Sequence, residues 1–577
     1  MATNNPKTAD SQISVTRFGG IADHAGMTTV AAADVRNFRI LSDGTLEKRC
    51  GYLRHHKFSK PLRGLWEGVV SGISLLLAVA GNTIYLWTVA DDSPNDIYTM
   101  STSEGEVNFF LYRDLLWLMD GSSLLLFRLA NGGFSIAQGY VPLYGYNWHP
   151  TSLGEVNEPL NLLRNEIRIH YFNSNGSTTF QLPFTTQKIN YVRVNGNNVT
   201  SYSFKSGTST FTLPSGYSTV GSVEVYVTLD PVFSGRSALL AASNPQVFRT
   251  PDREVMMCYG AKAGYLIYRT SPVSDEMLSS CSLTIADADP MYIAKDTAFA
   301  VGSSSHPVTA LCQFEDQMLV FNDESLWAIR YPEKESNDAE ILPIRSGLGC
   351  TSRAGVTLCG KYPIAATAAG ITRLKFSASD TDFCQPEILS AGIREKLGKE
   401  FLEHAILFWD EFRQELWVRD PSDSAGTVWI CDPERELWVR FDHIPANRFF
   451  RLRGDLGFAD SNGIYYFDEE EMTDNGKVFS GEYLSHFLDV TSPTGAPKRS
   501  IRLSLATLHD EDSLSTRIET ERGDYTLKLR SDTPFSENPV HFSKRVSMGR
   551  FRFLQYMITS VGQSRCRIYS YSITANP

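Results

Sequence analysis

The chain lacks most of what enzyme and metal sites are built from. It has no GxSxG nucleophile elbow, no HExxH zinc helix and no GxxxxGK[ST] phosphate loop. Its nine cysteines, at 50, 258, 281, 312, 350, 359, 384, 431 and 566, are scattered without a CxxC pair. Their odd number and the polar opening MATNNPKTAD lead us to expect synthesis in a reducing cytoplasm and buried free thiols. The 11 histidines are dispersed, and the one adjacent pair, His55–His56, points to opposite faces of a strand and cannot share a metal. Long apolar runs are missing too. The longest, Val69 to Ala80, is broken by Ser and Gly and falls well short of the ~20 residues that cross a bilayer. It reads as a pair of buried strands, and no membrane segment is expected.

Positive charge is also in short supply. A formal net charge of −11 argues against tight duplex binding, which needs clustered Lys and Arg to displace counterions. It does not exclude a surface past which DNA slides, because a mildly acidic wall gives phosphate nowhere to stick. Helical periodicity is scarce: Ala391 to Glu403 is the one amphipathic stretch, so the expected class is all-β.

Aromatic residues (12%) and 42 glycines are plentiful, the makings of strands joined by tight turns. Apolar runs meet a Gly, Asp or Asn turn and an aromatic-rich run follows. This recurs at 75–87, 115–129, 317–330, 363–376, 415–432 and 456–468. The copies lie about 40 to 50 residues apart where no insertion intervenes, the period of a four-stranded propeller blade. Further strands fit at 60–68, 105–113, 306–315 and 401–411. Six blades are visible, and 254–270 followed by 289–302 offers a seventh. The expectation is a β-propeller of six or seven blades.

Two other segments alternate strictly. Residues 155–232, with YVRVNG and SVEVYVTL, read as an inserted β-sandwich, and 481–577 as a C-terminal β-sandwich. The expected organisation is therefore an arm and hairpin (1–56), first blades (57–154), insert (155–232), remaining blades (233–480) and sandwich (481–577). From Lys498 to Arg567, 13 basic and 8 acidic residues give 13 − 8 = +5, leaving −11 − 5 = −16 for the rest. Such polarity would favour docking between copies, although a solvated sheet face accounts for it as well.

Candidate chemistry is thin. SDSAGTVW (422–429) imitates a sialidase Asp-box through Ser422, Gly426 and Trp429, but Ser424 stands where the Asp belongs, so it reads as a hairpin turn. DADP (287–290) and FDEEEMTD (467–474) offer oxygen ligands without the order of a calcium loop, and read as solvated acidic loops. RFFRLR (448–453) and RFRFLQY (550–556) fit either base stacking or an Arg face and a Phe face on one strand. No catalytic residue, cofactor or metal is expected.

Residues 18–56, FGGIADHAGMTTVAAADVRNFRILSDGTLEKRCGYLRHH, carry a denser pattern. Gly19, Gly20, Asp34, Asn37, Asp43, Gly44, Leu46, Lys48, Arg49, Gly51 and Tyr52 match the opening of a family of phage virion proteins. In particular DGTLEKRCGY resembles the signature of tail nozzle proteins of short-tailed phages, also called packaged-DNA stabilisation proteins. The insert, residues 349–374 and KRSIRLSLATL are similar to further parts of that family. Asp43–Gly44 makes a tight turn between two strands, a hairpin suited to close the propeller or clasp a neighbour. Arg49 either pairs with a carboxylate there or is a surface residue.

The resemblance implies a structural virion protein of a bacteriophage tail without enzymatic activity. Copies of the chain, six by resemblance, would form a ring that extends the DNA channel, retains packaged DNA and takes part in its release. Its partners would be a head-to-tail adaptor above, tail fibres or spikes outside, and DNA passing without sequence-specific contacts. A receptor- or carbohydrate-binding propeller is the alternative, and a propeller hydrolase a third.

Overall fold

In the computed structural model the described residues are 11–24, 31–88, 93–128, 133–146, 156–172, 177–217, 221–230, 235–260, 264–333, 338–377, 384–452, 454–491, 497–509, 513–529, 539–563 and 565–576. The polar opening MATNNPKTAD (1–10) of the sequence reading lies outside them. The fold is all-β, of β-propeller type, and its repeat is a four-stranded antiparallel sheet. Contacts divide the chain into two compact units: Met1–Leu62, Glu324–Leu326 and Ile344–Pro577 form one, and Arg63–Asp323 with Trp327–Pro343 the other.

Four blade sheets belong mainly to the second unit. They begin with the strands Leu62–Val70, Asn108–Tyr112, Ala242–Thr250 and Val308–Phe314. The third is the seventh blade offered by 254–270 and 289–302 in the sequence, and it ends in the two-residue strand Phe299–Ala300. The inner strands, such as Ile73–Ala80 and Gln317–Asn322, are buried on both faces, hence their unbroken apolar character.

A recurring turn explains the sequence repeat. An Asp closes the inner strand and accepts backbone N–H groups two and three residues on: Asp120 from Ser122 and Ser123, Asp460 from Asn462 and Gly463. Asp420 does the same for Ser422. This Asx-turn fixes each hairpin locally.

The insert is one eight-stranded sheet. The 16-residue strand Thr179–Val194 pairs through its first half with Thr208–Thr212 and through its second with Val223–Leu229, with register shifts between. One strand thus serves both faces of the apolar core around Val192, Val225 and Phe211. The sheet also recruits Leu143–Tyr146, parallel to Glu166–Tyr171, from before the boundary read in the sequence. A parallel neighbour is invisible to a pattern search tuned to hairpins.

In the first unit three more blades begin at Val356–Cys359, Ile406–Asp410 and Arg448–Leu452. The last has only three strands of its own; its fourth is the N-terminal strand Gly51–Lys57, antiparallel to Gly463–Asp468. Seven blade sheets are therefore present among the described residues.

The C-terminal region is less independent than its sequence suggests. One of its sheets runs Phe38–Ile40, Leu46–Lys48, Cys566–Asn576, Lys498–His509, Val540–Phe551, with Ser11–Val15 also paired to Cys566–Asn576. The other continues the sixth blade: Leu437–Phe441 adjoins Ala32–Arg36, followed by Gly481–Ser485, Phe553–Ser560, Leu514–Thr520 and Gly523–Leu529. The two layers meet at the stacked rings of Tyr556 and Tyr571, 4.0 Å apart. N-terminal strands thus complete C-terminal sheets, and the hairpin clasps its own chain.

The helical reading needs correction. Residues 391–404 form a 3-10 turn and two short helices, split at Gly398, whose φ of +70° no continuous helix allows. Two further helices, Arg236–Leu240 and Asp275–Ser282, also occur.

Candidate functional site

The DGTLEKRCGY residues converge on one buried node in the first unit. Asp43 accepts hydrogen bonds from the backbone N–H and hydroxyl of Thr45, and Gly44 turns with φ +86° against Arg17. The hairpin Phe38–Ile40/Leu46–Lys48 follows, with Leu46 fully buried. After Lys48 the chain leaves this sheet and enters the last blade at Gly51. Arg49 occupies the crossing point.

Arg49 is 2% exposed, not a surface residue. Its guanidinium donates to both carboxylate oxygens of Asp474, at 2.8 and 2.6 Å. It also reaches Asn37 Oδ1 (2.9 Å), the Cys50 carbonyl (2.9 Å) and the Asp442 carbonyl (2.9 Å). The Phe479 ring lies under it, 3.9 Å from its Cζ. Every donor of the fork is used, the geometry for which Arg rather than Lys is suited.

Asn37 explains its own place in the motif. It sits in the left-handed region (φ 53°), where Asn is among the better tolerated residues. Its Oδ1 also accepts from the Asp442 N–H, and its Nδ2 donates to the Ser480 carbonyl. One side chain thereby ties the hairpin, the sixth blade and the start of the C-terminal sheets. Asp34 adds a two-point pair with Arg440 (2.8 and 2.7 Å).

Gly51 and Tyr52 complete the clasp. A Cβ on Gly51 would lie 1.9 Å from the Thr473 carbonyl oxygen, so only Gly admits that strand. Tyr52 packs edge-on against Phe458, Tyr465 and Phe467 and donates its hydroxyl to the His443 carbonyl. Gly20 also lies against backbone, with a Cβ position 2.7 Å from the Trp438 nitrogen.

Electrostatics follow from burial. Burial raises the Asp474 carboxyl, while Arg49 opposes the shift. Burial likewise lowers Lys48 to about 8; its Nζ donates to the Gly562 carbonyl and lies 4.7 Å from the Phe479 ring. The Cys50 thiol is pushed up by the same cause, which makes it a poor nucleophile.

Beside the clasp is a cavity of about 500 Å³ lined by Arg39, Lys48, Arg413, Arg565 and Arg567 together with Glu47 and Glu469. Its cations are largely answered within the chain: Arg39 by Glu415 (3.3 Å), Arg413 by Glu469 (3.2 Å), Arg567 by Glu47 (2.8 Å). The arrangement holds strands together and leaves little charge for a ligand.

The acidic loops are solvated only in part: Asp287, Asp468, Glu469 and Glu470 are exposed, and Asp289 and Asp474 are buried. In DADP, Asp289 is 2% exposed and accepts N–H groups from Gln138, Gly139 and Met291. In FDEEEMTD, Asp474 is the partner of Arg49, and Glu471 accepts from the Thr473 N–H. The Asp-box look-alike is a turn: Asp423 accepts from Ala425 and Thr427, and Gly426 has φ +69°. Sequence reasoning missed Asp442 and gave Asp474 and Asp289 only as members of acidic loops, because no local signal marks their buried partners. Among the described residues no group of three His, Cys, Asp or Glu is placed to hold a metal ion, and no helix is long and apolar enough to cross a membrane.

No family model and no curated protein matches this chain. Solved structures with some likeness include BBS1N in complex with ARL6DN (11% identity, TM-score 0.34, 73% of this chain and 98% of that one). The AfRom2 CNH domain is similar at 6% identity and TM-score 0.35 over 72% of this chain and 99% of that one. The WD40 domain of SCAP from fission yeast stands at 6% and 0.32, over 75% and 98%. At such scores these likenesses assign no function.

Proposed function

We propose that this chain is a structural, non-enzymatic protein of a bacteriophage tail. Copies of it form a ring, six-membered by resemblance, that extends the DNA channel, retains packaged DNA and takes part in its release. The observation that carries this reading is the 18–56 segment, whose DGTLEKRCGY pattern resembles tail nozzle proteins. The use of those residues supports it: Asn37, Asp43, Gly44, Arg49, Gly51 and Tyr52 all serve architecture, as a virion signature should. A head-to-tail adaptor, fibres or spikes, and DNA are the partners, and no cofactor takes part.

Rings of this kind arise from heterologous interfaces whose rotation closes. The test is the mass of the purified protein, alone and mixed with phage tails lacking it, followed by electron microscopy. Rings, or density added at the distal end of the tail, are the expected outcome. A monomer that never joins tails but binds glycans would replace this reading with a receptor-binding propeller.

A further inference from the structure

The C-terminal sheet that carries the hairpin has one face in the core and one turned away from it. Ile501, Leu503, Leu505, Val546 and Ile573 point into the core. Strand alternation puts their neighbours on the other face. There the pairing register aligns three rows across the sheet. The central row reads Gln12, Thr574, Arg502, Arg545. On one side lie Ser14, Ser572, Ser504 and Ser543; on the other, Asn576 and Ser547, with Ser500 buried between them. Every one of these residues is polar, and none is acidic.

Arg502 and Arg545 stand directly opposite each other, and both are exposed. Like charges so placed destabilise a strand pair. Arg545 donates to the Ser500 hydroxyl at 3.2 Å, but neither arginine has a carboxylate partner among the described residues. The contrast with the clasp is plain, since Arg49, Arg39, Arg413 and Arg567 are each matched by an acid. An arginine pair without acids at the centre of a hydroxyl-rich, exposed sheet face is free to meet an external anion.

The surrounding chemistry identifies the anion. Protein–protein interface cores are enriched in aromatic residues, Met and Arg and depleted in Ser; these rows share only the Arg and hold no aromatic residue or Met among their serines. Arg, Ser, Thr, Asn and Gln side chains are the ones that contact phosphate and sugar in nucleic-acid complexes. The rows repeat every two residues, about 6.6 to 6.8 Å along the strands, and present donors in a regular array. We propose that this face is a phosphodiester-contacting surface for duplex DNA, weak, salt-sensitive and blind to sequence. The proposal deepens the tail reading and rests on it for the setting in which DNA meets the face.

The experiment measures anisotropy of a fluorescent 30-base-pair duplex of arbitrary sequence with the full-length protein, from about 50 to 200 mM salt. Three proteins are compared: wild type, Arg502→Ala/Arg545→Ala and Arg502→Lys/Arg545→Lys. Wild type should bind. The alanine pair should lose about tenfold or more at low salt and flatten the log–log salt slope by about two, one per phosphate contact, while the lysine pair keeps most binding. Thermal melting of the alanine pair should not fall, because the substitution relieves repulsion. No wild-type binding at 50 mM salt, or unchanged binding by the alanine pair, overturns the proposal. So does loss of wild-type oligomers in the alanine pair without duplex binding by wild type, which would give the face to a second copy. Imaging of the same samples separates the two ideas: a monomer that binds duplex sinks the ring alone, and rings that do not bind it sink this surface alone.

Discussion

Removing Arg49 tests the clasp most directly. Arg49→Ala withdraws donors from five acceptors and leaves Asp474, only 3% exposed, without its cation. Breaking a buried pair from one side costs about 3–5 kcal/mol, mostly through the stranded charge. Arg49→Lys keeps the charge but loses the two-point fit to Asp474 and the Nε bond to Asn37, a loss of about 1–3 kcal/mol. The double variant Arg49→Met/Asp474→Leu removes both charges and should lose far less than the two single losses added. Urea unfolding followed by tryptophan fluorescence reads this, because Trp417 and Trp438 lie buried in the same core. Hydrogen exchange localises the effect to Gly51–Lys57 and Thr473–Asp474, which avoids treating the whole chain as two-state. If Arg49→Ala costs under about 1 kcal/mol, or the double variant equals the sum of the singles, the clasp is not held by this pair.

Two further outcomes follow from the same region. Gly51→Ala should cost about 1–3 kcal/mol or more and lower the melting temperature, because its Cβ would strike the Thr473 carbonyl and force two strands apart. Lys48, lowered to about 8 by burial, binds its proton less tightly folded than unfolded. Stability should therefore rise as pH climbs from about 8 towards 10.5. Lys48→Met should abolish that rise and raise stability at pH 7, as denaturation midpoints at several pH values would show.

The blade hairpins were legible because each is local: apolar alternation flanks an Asx-turn such as Asp120 or Asp460, and no distant partner is needed. The helix Asp275–Ser282 carried its own signal, an N-cap Ser274 that accepts from Met277 N–H with two acids in the first turn. The clasp was half legible. The motif marks Asn37, Arg49 and Gly51, but Asp474 lies 425 residues from Arg49, and only topology brings them together. Asp289 looked solvated because a charged tetrapeptide gives no hint that three backbone N–H groups will enclose it. The interleaving of the terminal strands was illegible for the same reason.

That interleaving sets a timetable for the ribosome. Strands made first, Ala32–Arg36 and Gly51–Lys57, wait for Gly481–Ser485 and Gly463–Asp468, and the Lys48 ammonium waits for a carbonyl 514 residues on. Closing a loop of that length costs roughly 5 kcal/mol of chain entropy, recovered only once the last strands emerge. The first unit therefore folds at the end of synthesis, slowly for a protein of its size, as topologies dominated by distant pairings do. Until then its earliest strands have unpaired edges that neighbouring nascent chains can capture. A chain cut short anywhere before Cys566–Asn576 leaves the hairpin without a sheet to join, so the closed fold of the first unit requires the last strand to be made.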